Sequence, residues 1–163
     1  MTLKRLVEIL AQEQRIHERI LKAKRDERKL LAAGDADKLL KNTERISDLT
    51  EQAKEWEERR IEASNRIAEE WGVWKDGLTL KDLLEALPPA NRAELEQARQ
   101  SLKTTLEAVR SANRSNRLIL QRSVSAIREQ LKQRTPHQES GVYTSKGVLA
   151  QSEARRAGLN IRV

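Results

Sequence analysis

The residues best able to do chemistry in this chain are few and scattered. It has two histidines, His17 and His137, and no cysteine. The histidines fall in different predicted elements, and neither belongs to a metal-ligand spacing such as His-Glu-x-x-His. Without cysteine there is no thiolate zinc ligand, cysteine nucleophile or disulfide. We therefore expect no metal site and no cofactor.

Acidic neighbours are the other candidates for catalysis. Glu57 and Glu58, and likewise Asp35 and Asp37, lie close together in sequence. Adjacent residues on a helix diverge by about 100°, which favours capping or solvated roles over acid–base pairing. The six glycines form no phosphate-binding loop and no Gly-x-Ser-x-Gly elbow. We therefore expect no catalytic residue, no small-molecule substrate and no enzymatic activity.

Charge accumulates toward the C-terminal end of the 163-residue chain, whose net charge is +7. Residues 1–71 carry 16 basic and 16 acidic side chains, residues 72–131 carry 10 and 7, and residues 132–163 carry 6 and 2. A series of arginines could neutralise phosphates. It comprises Arg110, Arg114, Arg117, Arg122 and Arg128. No base-stacking aromatic accompanies these arginines, so a solvated face is favoured over a nucleic-acid site.

The apolar segments are short. The longest runs, residues 30–33 and 118–120, fall far below the ~18 residues typical of a membrane span. The first residues contain no apolar stretch like that of a signal peptide. These features predict a soluble, cytoplasmic protein without a membrane span.

Apolar residues recur at helical spacing through most of the chain, which predicts an all-α fold. We expect helices at about 2–33, 36–71, 79–87 and 90–133. Gly34 suits a left-handed helix end and Asp35 the cap of the next helix, which predicts a tight turn and an antiparallel hairpin. Thr79 and Asp82 suit the start of a short helix that ends before Pro88.

The apolar stripes define which faces should be buried. In the second helix the stripe contains Leu39, Thr43, Ile46, Leu49, Ala53, Trp56, Arg60, Ala63, Ile67 and Trp71. In the long helix it contains Leu95, Ala98, Leu102, Leu106, Val109, Asn113, Asn116, Leu120, Val124, Ile127 and Leu131, with an average step of 3.6 residues. These patterns predict an elongated bundle or coiled coil over residues 1–135 and a flexible, basic C-terminal tail over 136–163.

Asn113 and Asn116 are the polar members of the long helix's stripe. Burial of an amide without partners would cost about 1–3 kcal/mol. One interpretation is a buried polar layer that fixes helix register, as asparagine does in coiled coils. The other is that the amides bind the backbone of a partner. We favour the first.

The tail contains the only tyrosine, Tyr143, and scattered apolar residues. Such a segment suits folding upon binding to a partner. A spacer with incidental apolar residues explains the pattern equally well.

The layout resembles the FlgN family of flagellar type III export chaperones, which have a helical hairpin, a long third helix and a short C-terminal segment. Asn113-Arg-Ser-Asn116-Arg-Leu-Ile119 is similar to the family's Asn-x-x-Asn stretch. Tyr143-Thr-Ser-Lys-Gly147 is similar to its Tyr-x-x-x-Gly motif. The resemblance implies a chaperone that binds C-terminal segments of the hook-associated, or hook-filament junction, proteins and prevents their premature assembly. It also implies delivery to the export gate and ATPase-complex components of the export apparatus.

We add a hypothesis for the client-binding residues, and the resemblance suggests a gate-docking motif. We expect a client-binding surface formed by Leu120, Val124, Ile127, Leu131, Leu149, Leu159 and Ile161. Tyr143 and Gly147 would dock on the export gate. The alternatives are a structural coiled-coil adaptor or stalk subunit of a secretion or motor assembly, and a basic nucleic-acid-binding helical protein.

Overall fold

The computed structural model describes residues 2–134, with no side-chain detail for Ala90 and residues 132–134. This part of the chain is helical and contains no strand. The helices are α1 (Leu3–Ala33), α2 (Ala36–Glu70), α3 (Leu80–Ala86) and α4 (Arg92–Arg134), with a 3-10 turn at Pro89–Asn91. The predicted all-α class, with a hairpin, a short helix and a long final helix, is confirmed. The predicted tail, 136–163, lies outside the described residues.

The turn between α1 and α2 is built as the sequence predicts. Gly34 has a φ of 68°, and its N–H donates to the carbonyl of Leu30. A side chain at this φ would be strained, so glycine is the natural residue here. A carboxylate oxygen of Asp35 accepts a hydrogen bond from the backbone N–H of Lys38 at 3.1 Å. This cap satisfies a free N–H at the start of α2, and the chain reverses within a few residues.

The start of α3 is a capping box, again at the predicted residues. The Thr79 hydroxyl accepts from the backbone N–H of Asp82, and the Asp82 carboxylate accepts from the backbone N–H of Thr79 at 2.9 Å. Lys75 Nζ lies 2.7 Å from the other carboxylate oxygen. The hydrogen bonds from Lys75 and Thr79 hold the pKa of Asp82 well below its usual range. These hydrogen bonds connect the segment before α3 to the first turn of that helix.

Buried residues of α1 and α2 follow a seven-residue repeat, with alternating steps of three and four. In α2 the buried and half-buried positions of this repeat are Asn42, Ile46, Leu49, Ala53, Trp56, Arg60, Ala63 and Ile67. The expectation that Thr43 belongs to this face is wrong. Thr43 is exposed, and its hydroxyl donates to the carbonyl of Leu39. Asn42 occupies the buried position, and its Nδ2 donates to the carbonyl of Ala23 at 3.0 Å.

The predicted stripe of α2 also ends too late. The helix ends at Glu70, and Trp71, the following C-cap residue, is 40% exposed. The buried face ends instead with Ile67 and Ala68.

The hairpin core contains two clusters of apolar side chains. The first, at the open end of the hairpin, joins Leu6 and Leu10 of α1 to Ile67 of α2 and to residues of α3 and α4. The second, nearer the turn, joins α1 and α2 alone through its buried residues, with Val109 packed against it. Trp56 packs against both clusters. This pairing of the start of α1 with the end of α2 makes the hairpin antiparallel.

Helix α4 runs parallel to α1. Leu95 and Leu102 share the first cluster with Leu6 and Leu10, and farther along α4 Asn116 reaches the carbonyl of Lys24. The contacts between residues divide the chain into two units, Met1–Ser125 and Ala126–Val163. The second unit is described only as far as Arg134, so the predicted boundary at 135/136 lies outside the described residues.

Candidate protein-binding site

The candidate client-binding residues of the first unit are exposed. Leu120 is 50% and Val124 38% accessible. Leu118, which the hypothesis did not include, is also exposed. Removing apolar side chains of this size from water by burial against another surface is favourable. The last two turns of the first unit therefore present apolar area that the unit itself does not cover.

The candidate residues of the second unit, Ile127 and Leu131, are also mostly accessible. The other candidates lie outside the described residues. They are Leu149, Leu159 and Ile161 of the proposed client surface and Tyr143 and Gly147 of the proposed gate-docking motif.

The geometry of α4 against α1 explains where burial stops. Asn116 lies beside Lys24 and Glu27, and the two helices advance equally, at about 1.5 Å per residue. Val124 therefore lies level with the hairpin turn at Gly34 and Asp35. The polar Ser123, seven residues after Asn116, is the next position of the same repeat; it is exposed, and its hydroxyl donates to the carbonyl of Ile119. Both the end of α1 and the change to a polar residue end the packing there.

Of the two asparagines expected to form a buried polar layer, Asn116 is buried. It is 4% exposed, and its Nδ2 donates to the carbonyl of Lys24 and to Oε2 of Glu27, both at 2.7 Å. Glu27 also pairs with Lys24 at 3.2 Å. The Asn116 Oδ1 atom is buried without a hydrogen-bond partner among the described residues. The bonds made by Nδ2 join α4 to α1, which favours the interpretation that this residue fixes register.

The expectation that Asn113 is buried with Asn116 is wrong, because Asn113 is exposed. The core-facing residues of α4 recur every seven positions, at Leu95, Leu102, Val109 and Asn116. A seven-residue repeat drifts around an ideal helix by about 20° per repeat. The buried face therefore moves away from the straight 3.6-residue stripe on which Asn113 lies.

A buried ion pair in the middle of the hairpin was missed by the sequence analysis. Glu13 of α1 is 2% exposed, and its Oε2 accepts from Arg60 Nε of α2 at 2.8 Å. Arg60 also contacts Glu57 at 3.4 Å. Burial raises the pKa of Glu13, and the Arg60 guanidinium opposes this shift. The signal was available, since Glu13 lies seven residues from both Leu6 and Ile20, which places it on the buried face.

His17 lies one turn after Glu13 and is half-buried. Its Nδ1 atom has no hydrogen-bond partner among the described residues. Burial lowers its pKa, the nearby Glu57 raises it and Arg60 lowers it further. His17 therefore belongs to the same polar layer as the Glu13–Arg60 pair.

The described residues contain no group of three or more histidine, aspartate or glutamate side chains arranged to hold a metal ion. Within residues 2–134, none of the helices is both long enough and apolar enough to cross a membrane.

These features define a helical bundle in which α4 packs on a hairpin and then presents accessible apolar side chains, the type of surface that binds protein segments. The family model described as FlgN protein matches residues 1–151, most of the chain. The chain therefore belongs to the FlgN family, and is a flagellar export chaperone in the broad sense of that family. A search of curated proteins and a search of solved structures give no match.

The contrast between the two asparagines yields a stability prediction. Asn116→Ala removes the donor to the Lys24 carbonyl and to Glu27, and we expect it to lower the free energy of unfolding by about 1–3 kcal/mol. Asn113→Ala, at an exposed position three residues away, should change it by less than about 0.5 kcal/mol. Urea denaturation followed by circular dichroism measures both. Equal effects of the two substitutions would contradict the assignment of Asn116 as the buried member.

The Glu13–Arg60 pair yields a pH prediction. Because the pKa of Glu13 is raised above 4.5 in the folded protein, the folded state binds this proton more tightly than the unfolded state. The contribution of Glu13 to stability is therefore greatest below pH 4.5 and falls as pH rises through the raised pKa. Glu13→Gln removes the ionisation and keeps an acceptor for Arg60.

The quantity to measure is the difference in free energy of unfolding between wild type and Glu13→Gln at several pH values from 3.5 to 7. We expect wild type to lose stability relative to the variant as pH rises. A difference that is constant with pH would show that Arg60 cancels the effect of burial, and a change in the opposite direction would show that Arg60 outweighs it.

Proposed function

We propose that this chain binds the C-terminal segments of hook-filament junction proteins in the cytoplasm, prevents their premature assembly and delivers them to the flagellar export apparatus. No reaction is catalysed in this proposal. Membership of the FlgN family supports the broad role. The exposed apolar residues at the end of α4 are the observation that supports a binding surface on this part of the chain.

Accessible apolar side chains occur in both units. Leu120 and Val124 belong to the first, and Ile127 and Leu131 to the second. An amphipathic segment of a junction protein, which would pack against its neighbours only after assembly, needs a partner that covers its apolar stripe before export. Leu149, Leu159 and Ile161 of the tail complete the proposed client contact.

The packing of the helices favours a chaperone over a permanent coiled-coil stalk. The residues of the seven-residue repeats of α1 and α2 pack against each other, and Leu95 and Leu102 of α4 enter the same core. A stalk subunit would need such a repeat to remain available for another chain. Nucleic-acid binding predicts an affinity that falls steeply with added salt, whereas contact through apolar side chains changes little.

The client proposal predicts binding by calorimetry to synthetic C-terminal segments of junction proteins from the same organism. We expect micromolar or tighter dissociation constants and a negative heat-capacity change, the signature of apolar burial. Leu120→Glu with Val124→Glu, and separately Ile127→Glu with Leu131→Glu, should each weaken binding at least tenfold. A version that ends after Arg134 measures the contribution of the tail.

Leu40→Glu is the matched control, because Leu40 is an exposed leucine of α2 that the proposal does not use. It should leave the dissociation constant unchanged. If the full-length protein binds no junction segment, the chaperone proposal for these clients fails. If it binds them but neither double variant weakens binding, the site lies elsewhere.

Tyr143 and Gly147 provide a second test, which rests on the family resemblance. We propose that they dock on the export gate rather than hold the client. Tyr143→Ala should then spare client binding by calorimetry and reduce export of junction proteins into the culture medium. Loss of client affinity with normal binding to the purified cytoplasmic domain of the gate would contradict this division of roles.

A further inference from the structure

A groove separate from the proposed client surface runs along the other part of α4. It lies between the second half of α2, residues 78–81 and the middle of α4, all within the first unit, and has a volume of about 520 Å³. Its apolar floor comprises Ile61, Leu78, Leu80, Leu102 and Leu106. Ile61 is 47% exposed, so the floor includes apolar surface that the bundle leaves accessible.

Basic side chains form the rim of this groove. Arg60 and Arg99 are already held in short ion pairs, with Glu13 at 2.8 Å and with Glu96 at 2.7 Å. The Lys81 and Lys103 ammonium groups are held only loosely, at 3.7 Å from Glu85 and 4.0 Å from Glu107.

Arg110 also lines the groove and makes no ion pair with a side chain of residues 2–131. Exposed pairs at the distances of Lys81 and Lys103 contribute little, so their charges remain available to a partner. The groove therefore offers three cations, Lys81, Lys103 and Arg110, and among its lining residues the single acid is Glu107.

From this combination of apolar floor and basic rim, we propose that the groove binds an acidic amphipathic helix of a partner protein. Such a helix would place its apolar stripe over Ile61 and Leu106. Lys103 and Arg110 lie seven residues apart on α4, about 10 Å along the axis, which matches acidic side chains at positions i and i+7 of the bound helix. Lys81 would face the opposite side of that helix.

The charge of the groove argues against other occupants. The tail of this chain, residues 132–163, has 6 basic and 2 acidic residues, so like charges would oppose its entry. Single-stranded nucleic acid is disfavoured because no aromatic side chain lines the groove for base stacking. The inference is independent of the proposed junction-protein client, because none of the groove residues belongs to that surface.

The test uses a defined probe and the full-length protein. The probe is a fluorescein-labelled helical peptide of 18 residues, with leucines at i, i+3, i+4 and i+7 spacing and glutamates on both flanks. Its dissociation constant is measured by fluorescence anisotropy. We expect micromolar binding, weakened at least tenfold by Lys103→Glu with Arg110→Glu and at least fivefold by Ile61→Asp.

Two matched controls separate the groove from general charge and folding effects. Arg15→Glu with Arg19→Glu reverses two exposed cations of α1 outside the groove, and Leu40→Asp replaces an exposed leucine of α2. Both should leave the dissociation constant within a factor of two. Circular dichroism establishes that each variant is folded.

Several results would overturn the proposal. One is the absence of peptide binding, and another is equal binding of a peptide in which lysines replace the glutamates. Equal binding of a peptide with alanines in place of the leucines would show that the groove binds anions in general and does not recognise the apolar stripe of a helix. A dimer in sedimentation equilibrium that Ile61→Asp dissociates would assign the groove to a second copy of the chain.

Discussion

The seven-residue step with which α4 meets α1 determines which parts of the long helix remain accessible. Leu95 and Leu102 enter the core with Leu6 and Leu10, and Asn116 closes the series by donating to the carbonyl of Lys24. This last contact joins α4 to α1 at the level of Lys24. Beyond this amide, Leu118, Leu120 and Val124 of the first unit are accessible.

Polar groups recur within the apolar faces of the helices. Asn42 binds the Ala23 carbonyl near the turn, the Glu13–Arg60 pair lies in the middle of the hairpin, and Asn116 joins α4 to α1. Leucine, isoleucine and alanine side chains would pack almost as well if one helix slid by a repeat. A shifted register would leave these polar atoms without partners, at about 1–3 kcal/mol for each neutral group. The polar layers thereby favour one alignment, as a buried asparagine does in coiled coils.

The ends of the helices could be predicted from sequence because their signals are local. Gly34, Asp35 and the Thr79–Asp82 pair act through backbone groups within a few residues, and the structure shows each of them in the expected role. The buried face was harder to predict. A repeat of 3.6 residues and one of 3.5 residues coincide over two turns and separate by about 20° with each heptad. Asn116 lies on both faces, whereas Asn113 lies only on the first, and of the two only Asn116 is buried.

The same reasoning explains why the candidate site was predictable in part. Leu120 and Val124 continue the straight stripe, and they are exposed because the packed face has moved away from it. The groove over Ile61 could not have been found from periodicity, since it combines residues of α2, the α3 region and α4 that are far apart in sequence.

The charged residues around the exposed apolar side chains of α4 bear on whether two copies of the chain can pair through them. Exposed apolar residues invite pairing of identical copies. Near Leu120 and Val124, the accessible charged residues are Arg114, Arg117 and Arg122, and no acidic residue lies between Arg110 and Arg128. Two copies that met through this part of α4 would bring arginines together, and like charges across an interface are unfavourable. A client whose apolar stripe is flanked by acidic residues would meet no such opposition. The distribution of charge on this part of α4 therefore disfavours pairing of identical copies through its exposed apolar side chains.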